Sequence, residues 1–346
     1  MTKYLIHIGI CGFGNQLLGF KEACIIAKYT NRKIILPIFI PHGTIRNNTK
    51  EYYEFAEIFD KNNFNNIVES VNILDIANIK INNIYNIRNT KEKKITDIYY
   101  NYQKNYYKLY NIKFNYIKKQ YIKSYDDFDE LKNIKDEVLV LLGTFNNVIL
   151  SNCYKNGCIN TNCTLNKCFV RDYNEVTKSI IFNKYIENIA YKYIESININ
   201  IENLCVFHMR VLDNCNNKSF ENSYNNYNEI HVFKAICRYL NKLKKSDLIE
   251  NIFLMSPPQY KNINNLKIFN TNLVKRIEYN NSTNDKFILS LVELIICEKA
   301  KIFITSPTNT PNEFKIHTRS SFSLHTKNLR DLSNNFKHDT CISNIL

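Results

Sequence analysis

The stretch CGFGNQLLGF, Cys11–Phe20, decides the fold. It follows directly on the apolar run Tyr4–Ile10. Gly12, Gly14 and Gly19 lie in it and Gly9 just before it, four of the seven glycines in 346 residues. The rest of the chain is crowded with Asn, Ile, Lys and Tyr and has no Trp. A composition that has drifted away from glycine keeps a cluster only where a side chain would obstruct the backbone. The alternation around Tyr4–Ile10 predicts a strand over 3–9. Leu17, Phe20, Cys24 and Ala27 recur at helical spacing and predict an amphipathic helix over 16–29. RKIILP, 32–37, reads as a short buried strand closed by Pro37. Strand, glycine turn, helix, strand is the opening of a nucleotide-binding α/β domain. In Gly12-Phe13-Gly14-Asn15-Gln16 the glycines are expected to take positive φ and let the main chain approach a ligand. The helix that follows aims its free N–H groups at an anion.

Working outward, 61–136 is rich in Asn, Lys, Tyr and Ile and only weakly periodic. It is expected to be an insertion of helices and loops. EVLVLLG, 137–143, reads as another buried strand, and 175–195 as helical. A second α/β rhythm begins at NLCVFHMR, 203–210, a strand with polar residues at its carboxyl end. A helix over 231–243, a strand over 251–258, a helix over 285–300, a strand over 301–305 and a turn into a last helix over 319–331 follow. The expected domains are 1–200, carrying the insertion and a Cys-rich segment over 153–168, then 201–331, then a tail over 332–346. Both domains are expected to be doubly wound, with ligands outside the carboxyl ends of the strands.

The charge balance is 46 Lys and Arg against 32 Asp and Glu, net +14. A basic chain attracts polyanions. Most of the excess is Lys scattered among Asn and Tyr, and there are nine Arg with no stripe of them, so nucleic-acid binding takes third place among the readings. No apolar run is long enough to span a bilayer. The first apolar run holds His7 and enters the glycine turn, so it reads as a buried strand and not as an export signal. The chain is expected to stay in the cytoplasm. Cys153, Cys158, Cys163 and Cys168 are evenly spaced. They read as a zinc knot, as disulfides, or as a loop without special chemistry; the x4 spacing is wider than that of common structural zinc sites.

Four features carry chemistry. The glycine turn is the first. His208 and Arg210 alternate at a strand end and so share a face, where an Arg fork can hold two phosphate oxygens; the bland alternative is a surface Arg and a core His. Ser320 and Ser321 precede a helix, as a phosphate contact or as a plain N-cap. Glu293 sits inside the apolar run SLVELII, either as a buried carboxylate able to accept the paired N–H groups of a guanine or on the exposed stripe of its helix.

Together these features resemble the O-fucosyltransferase family. The resemblance is carried by GFGNQLLGFKEACIIAKYTNRKIILP (12–37), VFHMR (206–210) and VELIICEKAKIFIT with RSSFS (292–323), in the family's order. The link Ser306–Thr318 is longer than the family's. The resemblance implies a GT-B architecture of two Rossmann-like domains, with GDP-fucose held mainly by the second (201–331) and the acceptor on the first (1–200), and an inverting transfer of fucose to a protein Ser/Thr or glycan hydroxyl, with no metal required. It implies that Phe13, Gly14 and Asn15 reach across to the donor; Gly12, also expected at the nucleotide, stands where some members of the family have Arg. His208 and Arg210 would hold the diphosphate, Glu293 the guanine, and Ser320, Ser321 and Phe322 the nucleotide turn. Asn15 and Arg210 are the implied catalytic pair. No base is assigned; Glu22 and Asp213 are the candidates. The other readings are transfer from another nucleotide sugar and a non-catalytic binder of one.

Overall fold

The computed structural model describes residues 2–9, 12–42, 49–77, 80–86, 98–119, 127–142, 164–208, 238–239, 241–242, 251–255, 274–276, 285–305, 326, 329–330, 332–333 and 340–341. The chain divides into two compact units, Met1–Lys184 and Tyr185–Leu346.

The first unit is built on a six-stranded sheet. Its strands are β1 (Tyr4–Ile8), β2 (Lys33–Ile35), β5 (Ser70–Val71), β6 (Lys80–Asn86), β7 (Lys113–Lys119) and β8 (Val138–Leu142), in the order β5-β2-β1-β8-β6-β7. Every pairing in it is parallel. A separate antiparallel pair, β3 (Ile38–Phe39) and β4 (Tyr53–Glu54), follows β2. The helices are α1 (Phe13–Tyr29), α2 (Phe55–Ile58), α3 (Lys61–Asn65), α4 (Ile98–Leu109), α5 (Asp127–Lys132) and α6 (Thr164–Ser179). The stretch 61–136, expected as an insertion, instead supplies three strands of the main sheet, β5, β6 and β7.

Alternation along β1 separates two cores. Ile6 and Ile8 join Val138, Val140 and Leu142 of β8 in a cluster with Tyr100, Tyr106 and Tyr107 of α4. His7 points to the other face, beside Phe20 of α1. There Phe13, Phe20, Phe39, Phe55, Phe59 and Phe64 pack ring on ring, with Phe182 against Phe59. α1 is not the expected amphipathic helix. It starts at Phe13, and every residue from Gln16 to Ala27 is buried. A helix covered on all sides has no polar stripe to show. Lys21 lies within it, 5.4 Å from the centre of the Tyr173 ring of α6, and desolvation pulls its ammonium down to about 7.

The expected helix over 175–195 is two helices, α6 and α7 (Lys184–Ser196). Neither Gly nor Pro breaks it. The gap is made from a distance: Asp60 N–H donates to Ile181 O at 2.9 Å and Asn183 N–H to Ile58 O at 2.9 Å, pulling the backbone into a bridge between Phe59 and Phe182.

The second unit holds α7, β9 (Leu204–His208), β10 (Asn251–Met255), β11 (Val274–Arg276), α8 (Lys286–Lys299), β12 (Ile302–Thr305) and β13 (Thr340–Cys341). Its sheet runs β11-β10-β9-β12-β13, all parallel. The expected tail over 332–346 therefore contains an edge strand. The expected helices over 231–243 and 319–331 fall mostly outside the described residues. Among the described residues no helix is long and apolar enough to cross a membrane.

Helix ends repeat one device. Asn31, Asn111 and Asn198 follow α1, α4 and α7 with φ of 53°, 58° and 49°. After α1, Arg32 N–H reaches Ala27 O and Asn31 N–H reaches Lys28 O. After α4, Ile112 N–H reaches Tyr107 O and Asn111 N–H reaches Lys108 O. This is the paired closure that a left-handed residue permits, with Asn in the place usually taken by Gly.

Each unit also buries one Arg against carbonyls. Arg32 donates to Tyr4 O at 3.3 Å, Asp136 O at 2.9 Å, Glu137 O at 3.1 Å and Ile134 O at 2.8 Å. Arg330 donates to Cys297 O and Glu298 O at 3.0 Å each, to Lys301 O at 3.1 Å and to Ala300 O. In both cases the guanidinium fork closes a set of main-chain acceptors at the approach to a strand.

Candidate active site

In a parallel sheet, the crevice for a ligand opens where strand order reverses, beyond the carboxyl ends. In the first unit, chain order runs outward from β1 through β2 to β5, then resumes on the other side with β6, β7 and β8. The reversal lies at β1. Gly9 follows the carboxyl end of β1 and Gly12 is the N-cap of α1, so both stand at the switch point. In the second unit the reversal lies at β9, between β10 and β12, and the last residue of β9 is His208.

The glycines are needed, but not for positive φ. Gly12 is the N-cap of α1 with φ −67° and ψ 166°, open to any residue. What it lacks is room. A Cβ on Gly12 would stand 3.0 Å from His42 Cδ2. A Cβ on Gly9 would stand 3.0 Å from Gln16 Cβ and Cγ and 3.2 Å from its Cα, which is backbone and cannot give way.

The first turn of α1 is open. Gly12 offers no capping side chain and the turn holds no acidic residue. Gly12 O accepts from Asn15 N–H at 2.9 Å and from Gln16 N–H at 3.1 Å. Gly12, Phe13, Gly14 and Asn15 are all half-buried, whereas Gln16 and the residues after it are covered. One edge of Phe13 packs on Phe39, with ring centres 5.2 Å apart.

Three residues that sequence reasoning did not assign hold this loop. Gln16 binds the backbone of Ile40 from both amide atoms: Nε2 donates to Ile40 O at 2.8 Å and Ile40 N–H donates to Oε1 at 2.9 Å. Gln103 of α4 is fully buried, and its Nε2 donates to Gly9 O. Because a carbonyl only accepts, the amide nitrogen must face Gly9. Its Oε1 then has no partner among the described residues. His42 lies against Gly12. Only Gln16 was visible as part of the motif.

The remaining expected residues sort as follows. Glu22, a candidate base, is 1% exposed, and burial drives its carboxyl well above the usual range toward the neutral form. Ten residues of helix place it about 15 Å along α1 from Gly12. A neutral, enclosed acid at that distance does not serve the loop. Glu293 of α8 is partly buried, and desolvation pushes its carboxyl up to about 8. That answers the alternative of an exposed stripe. Cys297, one turn later on the same helix, donates its thiol to Met255 Sδ at 2.9 Å, fixing that face of α8 over the carboxyl end of β10. The N-terminus of α8, unlike that of α1, is closed: Asp285 accepts from Phe287 N–H at 2.9 Å and Ile288 N–H at 3.2 Å. Arg210, Asp213, Ser320, Ser321, Phe322, Cys153, Cys158 and Cys163 lie outside the described residues; Cys168 lies on α6. Among the described residues no group of three or more metal-ligating side chains occurs.

A cavity of about 460 Å³ opens elsewhere in the first unit. It is lined at the amino-terminal edge of the sheet by Lys3, Lys28, Lys33, Glu69, Asp172 and Glu175, among others. It is away from the glycine loop, and its charges are largely paired with one another: Lys28 with Asp172 at 3.1 Å, Lys33 with Glu69 at 3.9 Å.

No curated protein matches the chain in sequence. Among solved structures it is similar to POFUT1 in complex with GDP, with a TM-score of 0.61 and 14% identity over 98% of this chain and 97% of that one. POFUT1 in complex with GDP-fucose gives 0.61 and 14% over the same shares. The apo-form of POFUT1 gives 0.62 and 15%, again over 98% and 97%. The two parallel-sheet units are thus the Rossmann-like units of a GT-B architecture. The model for the GDP-fucose protein O-fucosyltransferases matches residues 4–314, and the chain belongs to that family.

Proposed function

We propose that this GDP-fucose-dependent fucosyltransferase lays the donor's diphosphate on the open first turn of α1 and transfers fucose with inversion to an acceptor hydroxyl. The observation that carries this reading is the Gly12 N-cap: a helix start at a switch point, without side-chain cap or acid, where the start of α8 is capped by Asp285. The positive end of the helix dipole suits an anion there. As fucose leaves, negative charge grows on GDP. Main-chain donors from Phe13 and Gly14, the Asn15 amide and the Arg210 guanidinium are the groups assigned to meet it. Losing one such aimed donor costs about 3 kcal/mol, on the order of a hundredfold in rate. His208, at the switch point of the second sheet, is assigned to the diphosphate with Arg210. Ser320, Ser321 and Phe322 are assigned to the nucleotide turn and Glu293 to the guanine. A protein Ser/Thr or a glycan hydroxyl is the acceptor class.

The test is thermal. A ligand selective for the native state raises stability by about 2.7 kcal/mol at a hundred times its Kd. GDP should raise the Tm well beyond ADP or UDP, and Arg210→Ala should remove the difference. Equal shifts from all three nucleotides, or an Arg210→Ala variant that responds to GDP as the parent does, would contradict the assignment.

A further inference from the structure

Transfer to a hydroxyl releases a proton, and none of the residues assigned so far takes it. Of the two candidates, Glu22 is excluded by its burial and its distance along α1, and Asp213 lies outside the described residues. Of the histidines in the described residues, His7 is 2% exposed inside β1, and burial pulls its imidazole down to about 3, a neutral core group. His208 ends the central strand of the other sheet. His42 is different. It is half-buried, and its Cδ2–Cγ edge lies against the N-cap of α1, 3.0 Å and 3.6 Å from where a Gly12 Cβ would stand. It is also held in place. Gln16 locks Ile40 to α1 through two hydrogen bonds of 2.8 and 2.9 Å, and Pro41 is the single residue between Ile40 and His42. Gln103 fixes the other end of the same loop at Gly9 O. The absence of a side chain at Gly12 is thus the space that the imidazole uses. A side chain positioned this closely by supporting residues fits a role in chemistry better than one in packing alone.

We propose that His42 accepts the acceptor's proton. The acceptor oxygen bonds to the anomeric carbon of fucose. The bond from that carbon to the β-phosphate oxygen breaks, its electron pair leaves with GDP, and the hydroxyl proton passes to the imidazole. This rests on the placement of the diphosphate at the first turn of α1. A base in that role contributes about a hundredfold or more in rate.

The experiment follows GDP release from GDP-fucose with water as acceptor, so no acceptor need be known. His42→Ala should lose about a hundredfold or more in kcat, keep the parent's Tm rise with GDP, and recover at least about tenfold when free imidazole fills the space left. His42→Gln, which fills that space, should show the loss without the recovery. Either variant retaining the parent's kcat overturns the proposal, as does a His42→Ala that binds GDP yet gains nothing from imidazole. If the variants instead lose the GDP-induced Tm rise, His42 belongs to the donor site and not to the proton, which also overturns it. Should Arg210→Ala and Gly12→Asp leave GDP binding intact, the diphosphate placement has failed, separately from any result at position 42.

Discussion

Two helices of this molecule begin in opposite ways. α1 starts at Gly12 with no side-chain cap and no acid in its first turn; α8 starts at Asp285, whose carboxylate takes two N–H groups. Both are apolar helices packed on parallel sheets. A capped start satisfies its own donors and adds stability to its helix. An uncapped start sets no side chain of its own against the positive end of the helix dipole. The difference separates a helix that serves the fold from one whose first turn can serve a ligand.

Four experiments bear on that contrast, from the largest effect to the smallest. Arg32 and Arg330 are the device the two units share, each closing a set of buried carbonyls. Arg32→Met or Arg330→Met should cost about 3–5 kcal/mol, because the stranded acceptors stay buried without donors. Denaturant unfolding measures it, and a loss confined to one variant would show that the units are less alike than their arginines suggest. Gly12→Asp moves the α8 cap onto α1. It should abolish the GDP-induced Tm shift and lower GDP release about a hundredfold or more. Gly12→Ala, which meets His42 but supplies no carboxylate, should do less; equal effects would mean that space alone matters there. Asp285→Ala removes the cap of α8 and should cost about 1 kcal/mol, a few degrees of Tm, with the GDP shift preserved. A lost GDP shift would give α8's start a ligand role after all. The last effect is a slope, spread over several pH units. Glu293 is held protonated up to about 8 in the fold against 4.5 for the free group. Between those values the unfolded chain has released the proton and the folded one has kept it, so this group's contribution is full below pH 4.5 and fades as pH rises toward 8. The Tm of the parent should therefore fall over that interval relative to Glu293→Gln; parallel curves would contradict the desolvation of this carboxyl.

What could be read from the sequence was local. The β1–α1–β2 opening shows itself because strand, turn and helix are consecutive and each has its own pattern. β8 and β9 are uninterrupted apolar runs. β6, KINNIYN, hides because Ile81 and Ile84 break the two-residue alternation. β5 hides because two residues carry no period. The break between α6 and α7 has no sequence mark, since main-chain bonds from Ile58 and Asp60 impose it. The same limit applies at the candidate site. The turn announced itself, whereas Gln103, 94 residues from Gly9, reaches it only through the fold. His42 likewise comes to Gly12 on a different element. The expectation of positive φ failed because it credited glycine with conformational freedom where the structure uses its small volume.

That distinction explains a composition with so few glycines. Glycine offers a chain two separate things, tolerance of a left-handed bend and the absence of a side chain. Asparagine supplies the first at Asn31, Asn111 and Asn198, so ordinary helix ends could exchange one residue for the other at small cost. Nothing with a Cβ supplies the second. At Gly9 and Gly12 two parts of the molecule nearly touch, and both points stand at the same switch point.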